Sequence, residues 1–392
     1  MRMIDSLKPI VAALLVASVT VPASAAPTIN LIDIGGVAGS PAEQGFQIAA
    51  RYWESVLTNN ATVNFNVGFS DLGPNVLGST GSALYQYVPI ADYYALLGAT
   101  GTTALDAQAV ANFSPLSGTE SVTVRVPDYF DPGNISGVAE SGTRIAPDGT
   151  AISQTIALAL ANLKALGGGF AAFVDAEIQF SNQFNFDFNP TDGIAAGFYD
   201  FIGVAVHEMG HALGFLSGAD DFNYSTGFDF PVDDFWWGYG ADMFRYSAPG
   251  VLDWTFATDS YFSIDGGLTA YQDGLFSTGE VFGDGWQASH WKEPNAQGCT
   301  DFRGIMNPYI CNGKGDSVTA LDLALFDAIG WNTNVDVLAN PGYAFSTADM
   351  YRAFAVPEPT SLALMLAALG LMGVVTRRQR RTHVPHFTHT RT

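Results

Sequence analysis

Basic residues are scarce in this chain. Of 392 residues only 16 are Lys or Arg, against 38 Asp or Glu, for a net charge of −22. A nucleic-acid binder neutralises phosphates with Lys and Arg, so this balance argues against that class of partner. Charge of either sign is thin, 14% of residues where a soluble domain has roughly 25%. Cysteine is rarer still. Cys299 and Cys311 are too few for a disulfide-stapled scaffold or a four-cysteine zinc ribbon. In an oxidising compartment they most simply pair with each other, with metal ligation as their other use. Long low-complexity tracts and strict repeats are also missing, so a globular body is expected, long enough for two to three ordinary domains.

The two ends read as sorting segments. Arg2 and Lys8 precede an apolar stretch from Ile10 to Val21, and Ala23-Ser24-Ala25 follows as a cleavage site, so 1–25 is a secretory signal peptide. At the other end Pro357-Glu358-Pro359 leads into an apolar run, Leu362 to Val375, then Arg377, Arg378, Arg380 and Arg381. At 1.5 Å per residue that run reaches about 21 Å, short of the ~30 Å hydrocarbon core. It suits transient membrane association, or a retained anchor if flanking residues extend it, with the Arg cluster on the cytoplasmic side. The order of Pro-Glu-Pro, short apolar segment and Arg cluster resembles the PEP-CTERM sorting signal of Gram-negative bacteria. The resemblance implies an exosortase-type partner over 356–381 and delivery to the outer surface or extracellular matrix, with 382–392 as a disordered tail. Without both ends the body keeps 9 basic and 36 acidic residues, −27 net, a surface able to attract Ca2+.

Between the ends, helix and strand signals interleave. Ser40-Pro41-Ala42-Glu43 offers an N-cap, a proline at the first helical position and a capping-box Glu. Phe46, Ala50, Trp53 and Leu57 then form one apolar stripe. Val63, Phe65, Val67 and Phe69 alternate with polar residues or Gly, as do Ala176, Ile178 and Phe180, which predicts two half-buried strands. Further helices are predicted over Ala151 to Leu166 and Thr319 to Ile329, the second stopped by Gly330. The pattern is too irregular for a Rossmann or barrel fold, so an α+β body is expected.

Val206-His207-Glu208-Met209-Gly210-His211-Ala212-Leu213-Gly214 holds H-E-x-x-H with a trailing glycine. Residues four apart share a helix face, so His207 and His211 suit one Zn2+, and Glu208 beside them suits a general base. A catalytic zinc needs a third protein ligand. The compact metzincin pattern puts a His three residues after the glycine, where this chain has Ser217, a poor ligand. Of six histidines, His383, His386 and His389 lie beyond the sorting signal, so the body's unassigned one is His290. Asp220 and Asp221, just behind the helix, are its rivals.

Ser289-His290-Trp291-Lys292 is followed by Gly304-Ile305-Met306-Asn307-Pro308. With the H-E-x-x-H helix, this resembles the leishmanolysin branch of the metzincins, in which an insertion separates the helix from the third His and a Met-containing turn follows. The resemblance implies His290 as third ligand, Met306 as the Met-turn residue and Gly214 as the turn that ends the helix. It also implies a zincin/metzincin-like fold with two subdomains flanking a cleft, 26–214 and 215–345, ahead of a linker over 346–355. Tyr309, three residues after Met306, is a candidate for oxyanion support. The Asp- and aromatic-rich stretch with Asp229, Asp233, Asp234, Trp236, Trp237 and Asp242 is open to Ca2+ or a substrate, without EF-hand spacing.

The expectation is a secreted, surface-sorted zinc endopeptidase acting on protein or peptide substrates. Its rival is a non-catalytic surface or matrix protein with a structural zinc clamp.

Overall fold

The computed structural model describes residues 26–169, 172–293, 299 and 302–355. The expected signal peptide, sorting segment and tail lie outside the described residues. Strand β1 (Thr28–Gly35) runs through a loop into helix α1 (Pro41–Val56) and returns as β2 (Thr62–Ser70), which pairs parallel to β1 from Thr28↔Thr62 onward. α1 starts where its sequence predicts, but the expected capping box is not closed, since Ser40 N–H donates to the Val37 carbonyl. Ser40 Oγ accepts from Ala42 N–H, and Glu43 reaches back to accept from Gly39 N–H at 2.7 Å. β2 continues the sheet into the strand Ala176–Ser181, also parallel. β3 (Gly78–Ser82) closes the order antiparallel, at the sheet's end among the described residues.

Directly after β3 the chain enters β4 (Leu84–Pro89), which changes sheets to pair with Thr155–Ala159. That pairing corrects the expected helix over 151–166. Only Ala151–Gln154 and Leu160–Ala165 are helical, and Thr155–Ala159 between them is a strand. β4 bonds it on one side and Gly238–Tyr239 on the other, both distant in sequence. A central strand with two partners and β-branched Thr155 and Ile156 overrides the local helical period.

The expected linker is also corrected. Ala344–Ser346 pairs with Ser317–Thr319, and Thr347–Phe354 is a helix capped by Ser346 with Met350 fully buried. Arg51 of α1 donates to the Phe354 carbonyl at 2.9 Å, tying this helix to the body. The helix Ala320–Ala328 ends before Gly330, whose φ of +106° is the left-handed turn predicted there.

Helix, several sheets and loops share one apolar cluster that crosses the division expected at Gly214. Trp53 of α1 packs edge-on against Phe326, with centroids 4.7 Å apart, and Trp331 Nε1–H donates to the Leu213 carbonyl. Phe46, Phe180 and Phe201 meet pairwise at 4.7–5.0 Å and hold the helix Phe201–Leu213 against α1.

α1 and that helix approach closely because Gly45 faces the Phe201 ring; a Cβ there would strike ring atoms Cδ1 and Cε1. Gly45→Ala gains up to about 1 kcal/mol in helix propensity. The ring cannot retreat, so overpacking wins and the net loss should be about 1–2 kcal/mol. Denaturant unfolding checks this, and unchanged or raised stability would contradict it.

Candidate metal centre

The helix Phe201–Leu213 carries His207, Glu208 and His211 through the core. Asp200 caps its start, accepting from Gly203 N–H at 3.1 Å. Gly214 ends it with φ +118°, as expected. The two histidines share a face, and the third expected ligand meets them there. The Nε2 atoms lie 3.1 Å apart for His207 and His211, 3.1 Å for His211 and His290, and 3.2 Å for His207 and His290. Three nitrogens about 2.05 Å from one tetrahedral zinc would stand about 3.3 Å apart, so the triangle fits.

The tautomers fit as well. Each Nδ1 faces a backbone carbonyl: Ile305 for His207 at 2.8 Å, Phe215 for His211 at 2.8 Å and Gln287 for His290 at 3.2 Å. A carbonyl only accepts, so each Nδ1 carries the proton and each Nε2 turns a lone pair to the centre. Burial keeps the rings neutral, lowering His207 to about 4 and His211 to about 3, with His290 lowered as well. Three bare lone pairs converging on one point make a group that could hold a metal ion.

Glu208 is buried beside them. Thr80 of β3 donates its hydroxyl to Oε2 at 2.7 Å, and Gly78 leaves room for Oε1, which a Cβ there would approach at 2.6 Å. Burial lifts this carboxyl from 4.5 to about 7, against the lowering effect of Thr80.

Met306 lies under the helix with its sulfur against Gly210, where a Cβ would clash. Its carbonyl accepts from Trp291 N–H at 2.9 Å, linking the turn to the residue after His290. The tie that holds this turn, Asp322, escaped the sequence reading. Its Oδ1 accepts from Trp291 Nε1–H and Met306 N–H, and its Oδ2 from Ile305 N–H and Thr319 N–H, at 2.7–3.3 Å. The capping box Thr319-x-x-Asp322 was its visible signal. Cys299 and Cys311 form a disulfide around the same turn.

The rivals for third ligand are placed elsewhere. Asp220 accepts from Ala288 and Ser289 N–H, and Asp221 from the Tyr239 hydroxyl. Ser217 caps the next helix and donates to Asp242. Tyr309 lays its ring against Trp286 and Phe302, at 5.3 and 6.1 Å. Of the insertion's acids, Asp229 accepts from Ser136, Asp233 from Tyr129 and Arg144, and Asp242 from Ser217, Gly218 and Tyr239. Among the described residues, His207, His211 and His290 are the one group of such side chains close enough to share an ion.

Residues 355–381 match the family model of the PEP-CTERM protein-sorting motif. The chain carries a PEP-CTERM signal. The protein is therefore exported and sorted to the surface of a Gram-negative bacterium, with an exosortase-type enzyme recognising the motif. The match begins one residue before the segment expected from sequence. No helix among the described residues is long and apolar enough to cross a membrane. No curated protein and no solved structure matches the chain.

Asp200 also provides a pH test of the helix start. Burial raises its carboxyl from 3.8 to about 6, against hydrogen bonds from Thr347, Gly203 and Asp316. A raised acid disfavours the charged folded form, so its penalty is absent below pH 4 and grows as pH climbs through 6. Relative to Asp200→Asn, the wild type should lose about 2 kcal/mol between pH 4 and 7. Urea unfolding across that range reads the difference, and a gap constant with pH would contradict it.

Proposed function

We propose that this surface-sorted protein is a zinc-dependent endopeptidase. The observation that carries the reading is the convergence of three Nδ1-tethered, neutral imidazoles beside a buried carboxyl raised to about 7. His207, His211 and His290 would hold the metal. Zinc there supplies Lewis-acid activation of a water molecule and of a peptide carbonyl.

The remaining roles fall to the chain. Glu208, titrating near neutrality, takes a proton from the attacking water and delivers it to the departing amine. Thr80 holds that carboxyl in one rotamer through Oε2, leaving Oε1 for the proton. β3 sits at the end of its sheet among the described residues, with Thr80 on Glu208 and Ser82 Oγ donating to the His211 carbonyl at 3.1 Å. An extended peptide laid along this edge would meet the carboxyl with its backbone groups paired. Such an edge suits a polypeptide substrate better than a small molecule. A structural clamp would have no use for a titratable carboxyl held beside the imidazoles.

Hydrolysis of a denatured protein, with and without a chelator, tests the reading. Glu208→Ala should keep its zinc and lose about 10²- to 10⁴-fold in rate. His290→Ala should lose the metal itself, and Ser217→Ala neither. If the zinc-loaded wild type and every variant were equally inert on all proteins tried, the structural clamp would be the better account.

A further inference from the structure

The 79-residue interval between His211 and His290 is long for a connection within one site. Two of its buried charged side chains, Asp220 and Arg245, reach the five residues that present the third imidazole. Both backbone groups of Ala288 are gripped by buried side chains of opposite charge. Its N–H donates to Asp220 Oδ1 at 2.5 Å, and its carbonyl accepts from Arg245 Nη1 at 3.3 Å. The other oxygen of Asp220 takes Ser289 N–H at 3.0 Å, so one carboxylate holds two successive amides. The other end of the Arg245 guanidinium donates to the Ser277 carbonyl at 3.1 Å, and the group lies over the Phe276 ring, 4.9 Å from its centroid. Ser277 N–H in turn donates to the His290 carbonyl at 2.9 Å, and its hydroxyl to that of Trp291.

Both charges are almost wholly enclosed, Arg245 at 1% exposure and Asp220 at 9%. An enclosed charge costs several kcal/mol unless its surroundings compensate it. Among the described residues these two form no direct ion pair; the peptide stands between them. The dipole of the peptide between Ala288 and Ser289, with the Ser289 amide to the anion and the Ala288 carbonyl to the cation, helps compensate both, and the buried Asp242 and Asp253 add to the field on Arg245. The arrangement works only with the Ala288–Ser289 peptide in this orientation, immediately before His290. Gln287, on the far side of that peptide, supplies the carbonyl that fixes the His290 tautomer.

We infer that Asp220 and Arg245 are positioning residues for the third metal ligand, and that the insertion serves as the scaffold of His290. This rests on the metal reading above and adds to it a function for two charges which that mechanism does not use. Asp220 is thus no ligand, but it governs one. Outer-shell groups that orient a ligand typically change metal affinity about 10- to 100-fold when altered.

The test measures zinc affinity by competition with a chromophoric chelator on the full chain, using Asp220→Asn, Arg245→Lys and the double variant. Each single variant should weaken zinc about 10- to 100-fold. The double should fall little further than the worse single, because both act through one peptide. The visible spectrum of the Co2+-loaded variants should shift as the His290 nitrogen moves off the metal. Ile29→Ala serves as the comparison, since it loosens the core under β1, which packs chiefly on β2 and α1 and not on the 287–291 loop. The inference is overturned if both single variants bind zinc within twofold of wild type with an unchanged Co2+ spectrum. It is equally overturned if Ile29→Ala loses as much zinc affinity as they do. A wild type that binds no zinc would remove the metal reading itself, and the positioning role with it, whereas tight wild-type binding with indifferent variants removes only the positioning role.

Discussion

Three imidazoles with their lone pairs turned on one point repel each other, and the chain must hold them there. No proton relieves the crowding, because each ring keeps its proton on Nδ1, facing the carbonyl of Ile305, Phe215 or Gln287. Those three carbonyls belong to three separate stretches of chain. The rest of the structure can be followed outward from the need to fix them. The carbonyl of Phe215 follows directly from the left-handed turn at Gly214. That of Ile305 is set by Asp322, which takes the amides of Ile305 and Met306. That of Gln287 lies beside the peptide held by Asp220 and Arg245.

This dependence explains why so many carboxylates are buried in a chain with few charges. Asp200, Asp220 and Asp322 each accept from two or more backbone amides, and each of those amides lies next to the helix or to a loop that serves it. A buried acid of this kind does not stabilise through charge. It satisfies turns that secondary structure cannot, and removing one strands several donors at about 1–3 kcal/mol each. Glu208 differs in accepting from a side chain, Thr80, which leaves its second oxygen for chemistry.

Much of the metal site was legible in the sequence, and the reasons are local. A four-residue spacing put His207 and His211 on one face, and a body with only three histidines left His290 as the candidate third ligand, which the fold brings to them. Met306 was assigned by family resemblance, and it does sit against Gly210 beneath the helix. α1 announced itself through Ser40, Pro41 and Glu43. What stayed hidden depends on partners distant in sequence. Thr155–Ala159 has a helical period, yet β4 and Gly238–Tyr239 claim it as a strand. Asp220 reads only as a rival ligand, and Arg245 carries no signal at all, until the fold brings Ala288 between them. The helix Thr347–Phe354 looked like a linker because a short amphipathic segment shows its buried face only once α1 is there to cover Met350.

Zinc K-edge X-ray absorption on the purified chain tests the central claim most directly. The account predicts a single zinc with three imidazole nitrogens at about 2.0–2.1 Å, one further light scatterer and no sulfur. It also predicts that the three-imidazole signature collapses in His290→Ala. A sulfur shell, or a two-imidazole spectrum that His290→Ala leaves unchanged, would contradict it.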